Sequence, residues 1–205
     1  PQMILFDSHV RMALLTTHLP IAEIPAAVTK ERIAEAVKEL SGTLKQDFDI
    51  DAPKIAVLSL NPHNGDGGLL GKEEIEEIRP AVEDLADAYL TFGPFAADGF
   101  FASGAWSKFD GVLAMYHDQG LAPFKALAGA EGVNFTAGLP FVRTSPDHGT
   151  AFDIAWQGVA DPESMLQAIY AAIDLTRNRR RNMECAANPL PKLPEKERKN
   201  DKKEQ

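Results

Sequence analysis

Three histidines stand where apolar runs stop. His117 follows Gly111-Val112-Leu113-Ala114-Met115 and opens His117-Asp118-Gln119-Gly120; His63 closes Asn61-Pro62-His63 after the apolar run over residues 54–60; His18 lies in Thr16-Thr17-His18-Leu19-Pro20 after Val10-Arg11-Met12-Ala13-Leu14-Leu15. Neutral imidazole is a common ligand of zinc and other transition metals, and such centres draw three or four donors from separated parts of a chain. Singly, each of these histidines reads as a satisfied structural or surface residue. Together they can share one edge of a parallel sheet, where α/β folds place their ligands, and that coincidence favours a metal site. Asp98 and Asp118 are candidate further donors or partners that orient the rings, with solvated turn acids as the plain alternative. His9 has no comparable context and reads as a surface residue.

Lys125, Asn134 and Arg143 supply the complementary chemistry. A guanidinium holds phosphate or carboxylate through paired hydrogen bonds, and an ammonium supplies a point charge, so a Lys and an Arg near a histidine cluster suit an anionic substrate. Arg143 follows the apolar Leu139-Pro140-Phe141-Val142, which argues against a freely projecting surface cation. The loop Asn64-Gly65-Asp66-Gly67-Gly68-Leu69-Leu70-Gly71 has enough glycine for close approach of backbone to a ligand, but it has neither the ending of a P-loop nor the spacing of a dinucleotide fingerprint.

These residues need a scaffold, and the patterning supplies one. Residues 3–16 read as two strand-like stretches around a polar break at Asp7-Ser8-His9. Thr29 caps a helix whose Ile33, Ala36, Val37 and Leu40 recur at helical spacing, and residues 54–60 read as a strand covered on both faces. Acids at Glu73-Glu74 open a helix with Ile75, Ile78, Val82 and Leu85 as its buried stripe. Residues 92–101 are aromatic and turn-rich, residues 109–116 form the central strand, and residues 120–125 read as a turn that can start a short helix. Short apolar segments at 132–135 and 138–143 precede a hydrogen-bonding loop at 144–151, and a last helix spans 162–177. The expected class is α/β: a mostly parallel sheet flanked by helices.

Composition narrows the function. The 205 residues carry a formal net charge of -9 and no basic stripe, which disfavours a general nucleic-acid binder and favours small-molecule chemistry. The single Cys185 forms no intrachain disulfide, and no apolar run approaches the ~18 residues of a membrane span. A reducing cytoplasm fits best.

The motifs around the histidines, with Met115-Tyr116-His117-Asp118-Gln119-Gly120-Leu121-Ala122-Pro123-Phe124-Lys125, Gly132-Val133-Asn134, Gly138-Leu139-Pro140-Phe141-Val142-Arg143-Thr144-Ser145 and Asp147-His148-Gly149-Thr150-Ala151, resemble the 4-hydroxythreonine-4-phosphate dehydrogenases of pyridoxal 5'-phosphate biosynthesis. The resemblance runs in unbroken order over residues 10–160. It implies a divalent metal, zinc, magnesium, cobalt or manganese, held by His18, His63 and His117 and shared across a homodimer interface. It also implies substrate binding by Lys125, Asn134 and Arg143, with active-site acids at Asp98 and Asp118. The implied reaction is NAD-dependent oxidation of 4-phosphohydroxy-L-threonine, then decarboxylation to 3-amino-2-oxopropyl phosphate, with Lys125 or Asp118 moving the proton. NADP is the alternative cofactor.

Asp147, His148, Gly149 and Thr150 look like the adenosine-binding loop of the related isocitrate and isopropylmalate dehydrogenases, which assigns them to NAD and implies that fold. Trp156 stands where relatives usually have glycine. The resemblance further implies a metal- and substrate-binding dimerisation domain over residues 1–150 and a carboxy-terminal helical part of the first domain over 151–181, while the Pro, Lys, Glu and Asp that dominate from Asn182 onward lead us to expect a flexible tail over 182–205. The remainder of that first domain is expected on the amino-terminal side. Two other readings stay open: a dehydrogenase of another phosphorylated hydroxy acid, such as 4-phospho-threonate or 4-phospho-erythronate, and a non-catalytic metal-binding or dimerisation fragment.

Overall fold

The structure is a computed structural model that describes residues 1–190. The chain opens with a hairpin of β1 (Gln2–Phe6) and β2 (Arg11–Leu14). The polar break between them is its turn: the buried Asp7 carboxylate accepts from the backbone N–H groups of His9 and Val10, both at 2.7 Å. A short side chain bonding its own backbone two and three residues on is what makes Asp a turn residue. His9 is exposed, as its context suggested.

Five more strands follow: β3 (Lys54–Leu58), β4 (Leu90–Phe95), β5 (Gly111–Ala114), β6 (Val133–Ala137) and β7 (Thr144–Pro146). They join the hairpin in one seven-stranded sheet of order β4-β3-β5-β2-β1-β6-β7. The pairs β4/β3, β3/β5 and β5/β2 are parallel, whereas β2/β1, β1/β6 and β6/β7 are antiparallel. The sheet is therefore mixed rather than mostly parallel. Tight connections such as the Asp7 turn permit only antiparallel pairing, while the helical crossovers before β4 and β5 give the parallel half.

Helices cover both faces. They are α1 (Ile24–Ala27), α2 (Lys30–Gln46), α3 (Arg79–Leu85), α4 (Ala97–Ala102), α5 (His117–Ala128) and α6 (Glu163–Ala186). Thr29 caps α2 as expected, its hydroxyl accepting from Arg32 N at 3.3 Å. Alternation along the strands divides the core in two: Ile55 and Val57 pack with Ile33, Val37 and Leu40 of α2 and Val82 of α3, whereas Ala56 and Leu58 pack with Phe100 of α4 and Leu121 and Phe124 of α5. Successive strand side chains point to opposite faces, so one apolar run feeds both layers.

Three local expectations change. Residues 92–101 are not simply turn-rich, because β4 runs through Gly93-Pro94 at the sheet edge before α4 begins. A proline is tolerated there since an edge strand has no ladder to complete on one side, and a Cβ on Gly93 would lie 2.4 Å from the Val57 carbonyl oxygen. Residues 120–125 are interior to α5, not a turn. Residues 138–143 form no strand, and part of the expected 144–151 loop is β7.

The last helix outruns its expected end at Arg177 and continues to Ala186, so residues 182–186, expected in the tail, are helical; residues 191–205 lie outside the described residues. Arg179 anchors it. Its Nε and Nη2 donate to the two carboxylate oxygens of buried Asp47, both at 2.8 Å, and its Nη1 donates to the Leu139 carbonyl at 3.0 Å. Removing one member of a buried, bidentate pair leaves an uncompensated charge. Arg179→Ala should cost about 3–5 kcal/mol in urea unfolding. Arg180→Ala, which breaks only an exposed pair with Glu184, should stay within about 0.5 kcal/mol of the parent.

Candidate active site

The parallel strands β2, β3 and β5 end side by side, and three side-chain contacts lock their ends together. Thr16 is buried just past β2 and donates through Oγ1 to the Met115 carbonyl at 2.7 Å. Gln119 accepts from Met115 N through Oε1 at 2.7 Å and donates through Nε2 to the Ser59 carbonyl at 2.6 Å, tying the end of β5 to that of β3. Glu74 has no exposed surface and accepts from Leu60 N (2.8 Å) and Asn61 N (2.7 Å) through Oε1, and from Asn61 Nδ2 (2.9 Å) through Oε2. Buried backbone donors past a strand end must find partners, and these side chains supply them.

The candidate residues emerge from this platform. His117 is the first residue of α5, and its ring centroid lies 6.1 Å from that of His18, with the planes at 41°. A nitrogen bound to a divalent ion sits about 2.1 Å from it, so two imidazoles on one ion have centroids no more than roughly 6.5 Å apart. The separation of the two rings falls within that upper bound. His117 Nδ1 and Asp118 Oδ1 are 2.7 Å apart; an ionised carboxylate only accepts, so Nδ1 is the donor in this contact and Nε2 is the ring nitrogen left to face a metal. Metal-ligating histidines commonly have such a carboxylate partner.

His63 stands apart from this pair. It lines a neighbouring cavity with Asp98, Phe101, Gln119 and Asn61, while His18 and His117 line another with Ile21 and Ile24; Tyr116 and Asp118 border both. Among the described residues no three His, Cys, Asp or Glu side chains are gathered as a metal-holding group. One chain thus assembles two of the three expected ligands.

The other expected residues lie towards β6 and β7. Lys125 Nζ donates to the Asp147 carbonyl at 2.7 Å and sits 3.4 Å from Asp147 Oδ1. Asp147 N donates to Ser164 Oγ (3.0 Å), which itself donates to the Gly132 carbonyl (2.7 Å), and Lys125, Gly132, Asp147, His148 and Ser164 line one cavity. Gly149 and Thr150 are exposed beside it. Burial raises the Asp147 carboxyl above its ordinary range, and the positive charges of Lys125, His148 and His117 pull it back only in part.

Asn134 Nδ2 contacts Met3 Sδ at 3.7 Å and its buried Oδ1 has no protein partner, while Arg143 Nη1 donates to Thr136 Oγ1 at 2.8 Å. Lys125 and Arg143 are thus not joined by direct bonds. The sequence signal missed Gln119, Thr16 and Glu74. Glu74 read as a first-turn acid, because nothing in Glu73-Glu74 tells a buried carboxylate from a solvated one.

The family model described as "Pyridoxal phosphate biosynthetic protein PdxA" matches residues 1–172. The chain belongs to the PdxA family. Among curated members, it is 59% identical to the 4-hydroxythreonine-4-phosphate dehydrogenase of Bacteroides thetaiotaomicron over 191 residues, covering 93% of this chain and 52% of that one. Among solved structures, it is similar to the 4-hydroxythreonine-4-phosphate dehydrogenase of Klebsiella pneumoniae with a TM-score of 0.75 and 40% identity, over 85% of this chain and 53% of that one. A terephthalate 1,2-cis-dihydrodiol dehydrogenase of Burkholderia xenovorans shares the fold at a TM-score of 0.66 and 31% identity, over 83% and 55% of the two chains. The chain spans about half the length of the PdxA relatives it matches.

Gly120 is what lets α5 bring His117 to this edge. A Cβ there would meet Leu14 Cδ2 at 2.5 Å and Met12 Cγ at 3.0 Å, so the helix start lies directly on β2. Gly120→Ala should overpack this contact, cost about 1–3 kcal/mol, and displace His117, read as a shifted His117 ring signal in proton–carbon NMR spectra. A parent-like spectrum and stability would refute the close-packing role.

Asp147 yields a pH prediction. Its folded pKa lies above its unfolded value, so the folded state holds that proton more tightly; stability is greatest below the ordinary carboxylate range and falls as pH rises through the raised value. Asp147→Asn should flatten this part of the profile in urea titrations between about pH 4 and pH 7. An unchanged slope would show that Asp147 does not contribute it.

Proposed function

We propose that the chain carries the metal- and phosphate-binding part of a 4-hydroxythreonine-4-phosphate dehydrogenase, acting in pyridoxal phosphate biosynthesis. The observation that carries this reading is the pairing of His18 with His117 at the adjoining ends of β2 and β5, in a chain 59% identical to a protein of that name. His63 is the third ligand in this reading. That the described chain gathers two ligands but not three supports a centre completed between the subunits of a homodimer.

The chemistry follows from the residues. A divalent ion bound there supplies Lewis-acid polarisation of the substrate hydroxyl and then of the carbonyl. Asp118, or Lys125 in its neutral form, would take the hydroxyl proton, and a bound nicotinamide, NAD or NADP, would supply the acceptor for the carbon-bound hydrogen as hydride. The resulting β-keto acid loses carbon dioxide, and the electron pair left on carbon takes up a proton from the same group. In this reading Lys125 as its ammonium, Asn134 through its amide N–H groups and Arg143 through its guanidinium hold the phosphate end of the substrate. Asp98 faces the cavity of His63 and serves as the second acid. The exposed segment around His148, Gly149 and Thr150 receives the adenosine end of the nicotinamide cofactor.

A second substrate remains in view for one reason. The 31%-identical Burkholderia xenovorans protein is a dehydrogenase of an aromatic dihydrodiol on the same fold, so the fold serves more than one alcohol. The deciding measurement is NADH formation by the intact protein with 4-phosphohydroxythreonine, zinc, cobalt, manganese or magnesium, against 4-phospho-threonate and 4-phospho-erythronate. The expected result is metal-dependent turnover fastest with 4-phosphohydroxythreonine, reduced at least about 100-fold in His117→Ala. Faster turnover of another phospho-acid would move the substrate assignment. Metal binding without turnover of any would leave a metal-binding module.

A further inference from the structure

The loop bearing His63 has an unusual backbone. His63, Asn64, Gly65, Asp66 and Gly67 are consecutive residues with positive φ, at 53°, 55°, 75°, 45° and 64°. Left-handed conformation costs an L-residue roughly 1–2 kcal/mol, so His63, Asn64 and Asp66 in succession store strain that glycine would not. Such strain persists only where the surroundings over-determine it.

Glu74 and its neighbour supply that determination. The buried Glu74 carboxylate holds the two backbone N–H groups immediately before the loop, at Leu60 and Asn61. The Asn61 side-chain amide is shared between Glu74 Oε2 at 2.9 Å and Glu73 Oε2 at 2.6 Å. On the far side of the loop a Cβ on Gly65 would lie 2.7 Å from Glu74 Oε2 and 2.8 Å from the Gly71 carbonyl oxygen, so the loop is folded directly onto the carboxylate. The π-helical turn Glu74–Ile78 places Glu74 at its start, with Ile78 packed in the core. All the hydrogen bonds of this fully buried acid go to the two residues that lead into the loop, and its Oε2 abuts Gly65 within the loop.

We propose that Glu74 is a positioning residue for His63: it holds the left-handed loop in the one conformation that presents the imidazole to a divalent cation. The inference rests on the reading of His63 as a metal ligand. It predicts that Glu74 acts on the metal through His63 alone.

The test is a double-mutant cycle on the intact protein, read by zinc titration and by amide hydrogen exchange of the metal-free form. Glu74→Gln keeps the side-chain shape but turns an amide N–H towards Asn61 Nδ2. It should weaken zinc binding roughly 10- to 100-fold and speed exchange at residues 60–68, while the exchange of β2 and β5 stays as in the parent. In a His63→Ala background Glu74→Gln should have no further effect on zinc affinity.

Gly65→Ala, which lifts the loop off Glu74 without altering a buried charge, should weaken zinc binding in the same way and decides the matter if Glu74→Gln does not fold. Unchanged zinc affinity in these variants, or an equal loss with and without His63, would overturn the proposal. If His63→Ala alone binds zinc as the parent does, the ligand reading of His63 fails and the proposal with it. Loop exchange then still distinguishes the two: faster exchange in Glu74→Gln shows a carboxylate that holds the loop for some other purpose.

Discussion

Backbone groups at the end of a parallel strand have no ladder left to join, yet here they are buried, and the whole site depends on how they are satisfied. Thr16, Gln119 and Glu74 meet that demand with side chains, each bonding main-chain atoms beyond a strand end. An unpaired buried amide or carbonyl costs on the order of 1–3 kcal/mol, so these contacts make the relative position of β2, β3 and β5 stiff. The histidines inherit that stiffness, since His18 and His117 lie within two residues of Thr16 and Gln119.

The mixed sheet divides labour. Its parallel half, β4-β3-β5-β2, ends in the histidines and carboxylates; its antiparallel half, β1-β6-β7, carries Asn134 on β6, has Arg143 just before β7, and meets α6. Helix α5 joins the halves. It begins with His117 over the strand ends and reaches Lys125 in its last turn, where the ammonium bonds Asp147 just past β7.

Stability and chemistry are built from different interactions. The Arg179–Asp47 pair closes the carboxy-terminal helix onto the end of α2 far from any candidate ligand, and its geometry is bidentate and shielded. The site, by contrast, keeps exposed or partnerless groups: Asp118 is 85% exposed, and Asn134 Oδ1 is buried without a partner.

The sequence by itself marked the candidate residues and roughly where β2, β3 and β5 end. An apolar run stopping at histidine is visible without coordinates, as is the Thr29 cap, and the family motifs extend that legibility to Lys125, Asn134 and Arg143. It misjudged Gly120, because a glycine needed for close packing inside a helix looks the same as a glycine needed for a turn. It missed β4, because Gly93-Pro94 signals a break unless the strand is known to lie at an edge. Only the tertiary structure decided that Glu74 is buried, that His18 meets His117 while His63 faces the adjoining cavity, and that half the sheet is antiparallel. Those outcomes depend on contacts between residues as many as 135 positions apart, as in Gln2 beside Ala137, and local pattern carries no record of which distant backbone group a residue will find.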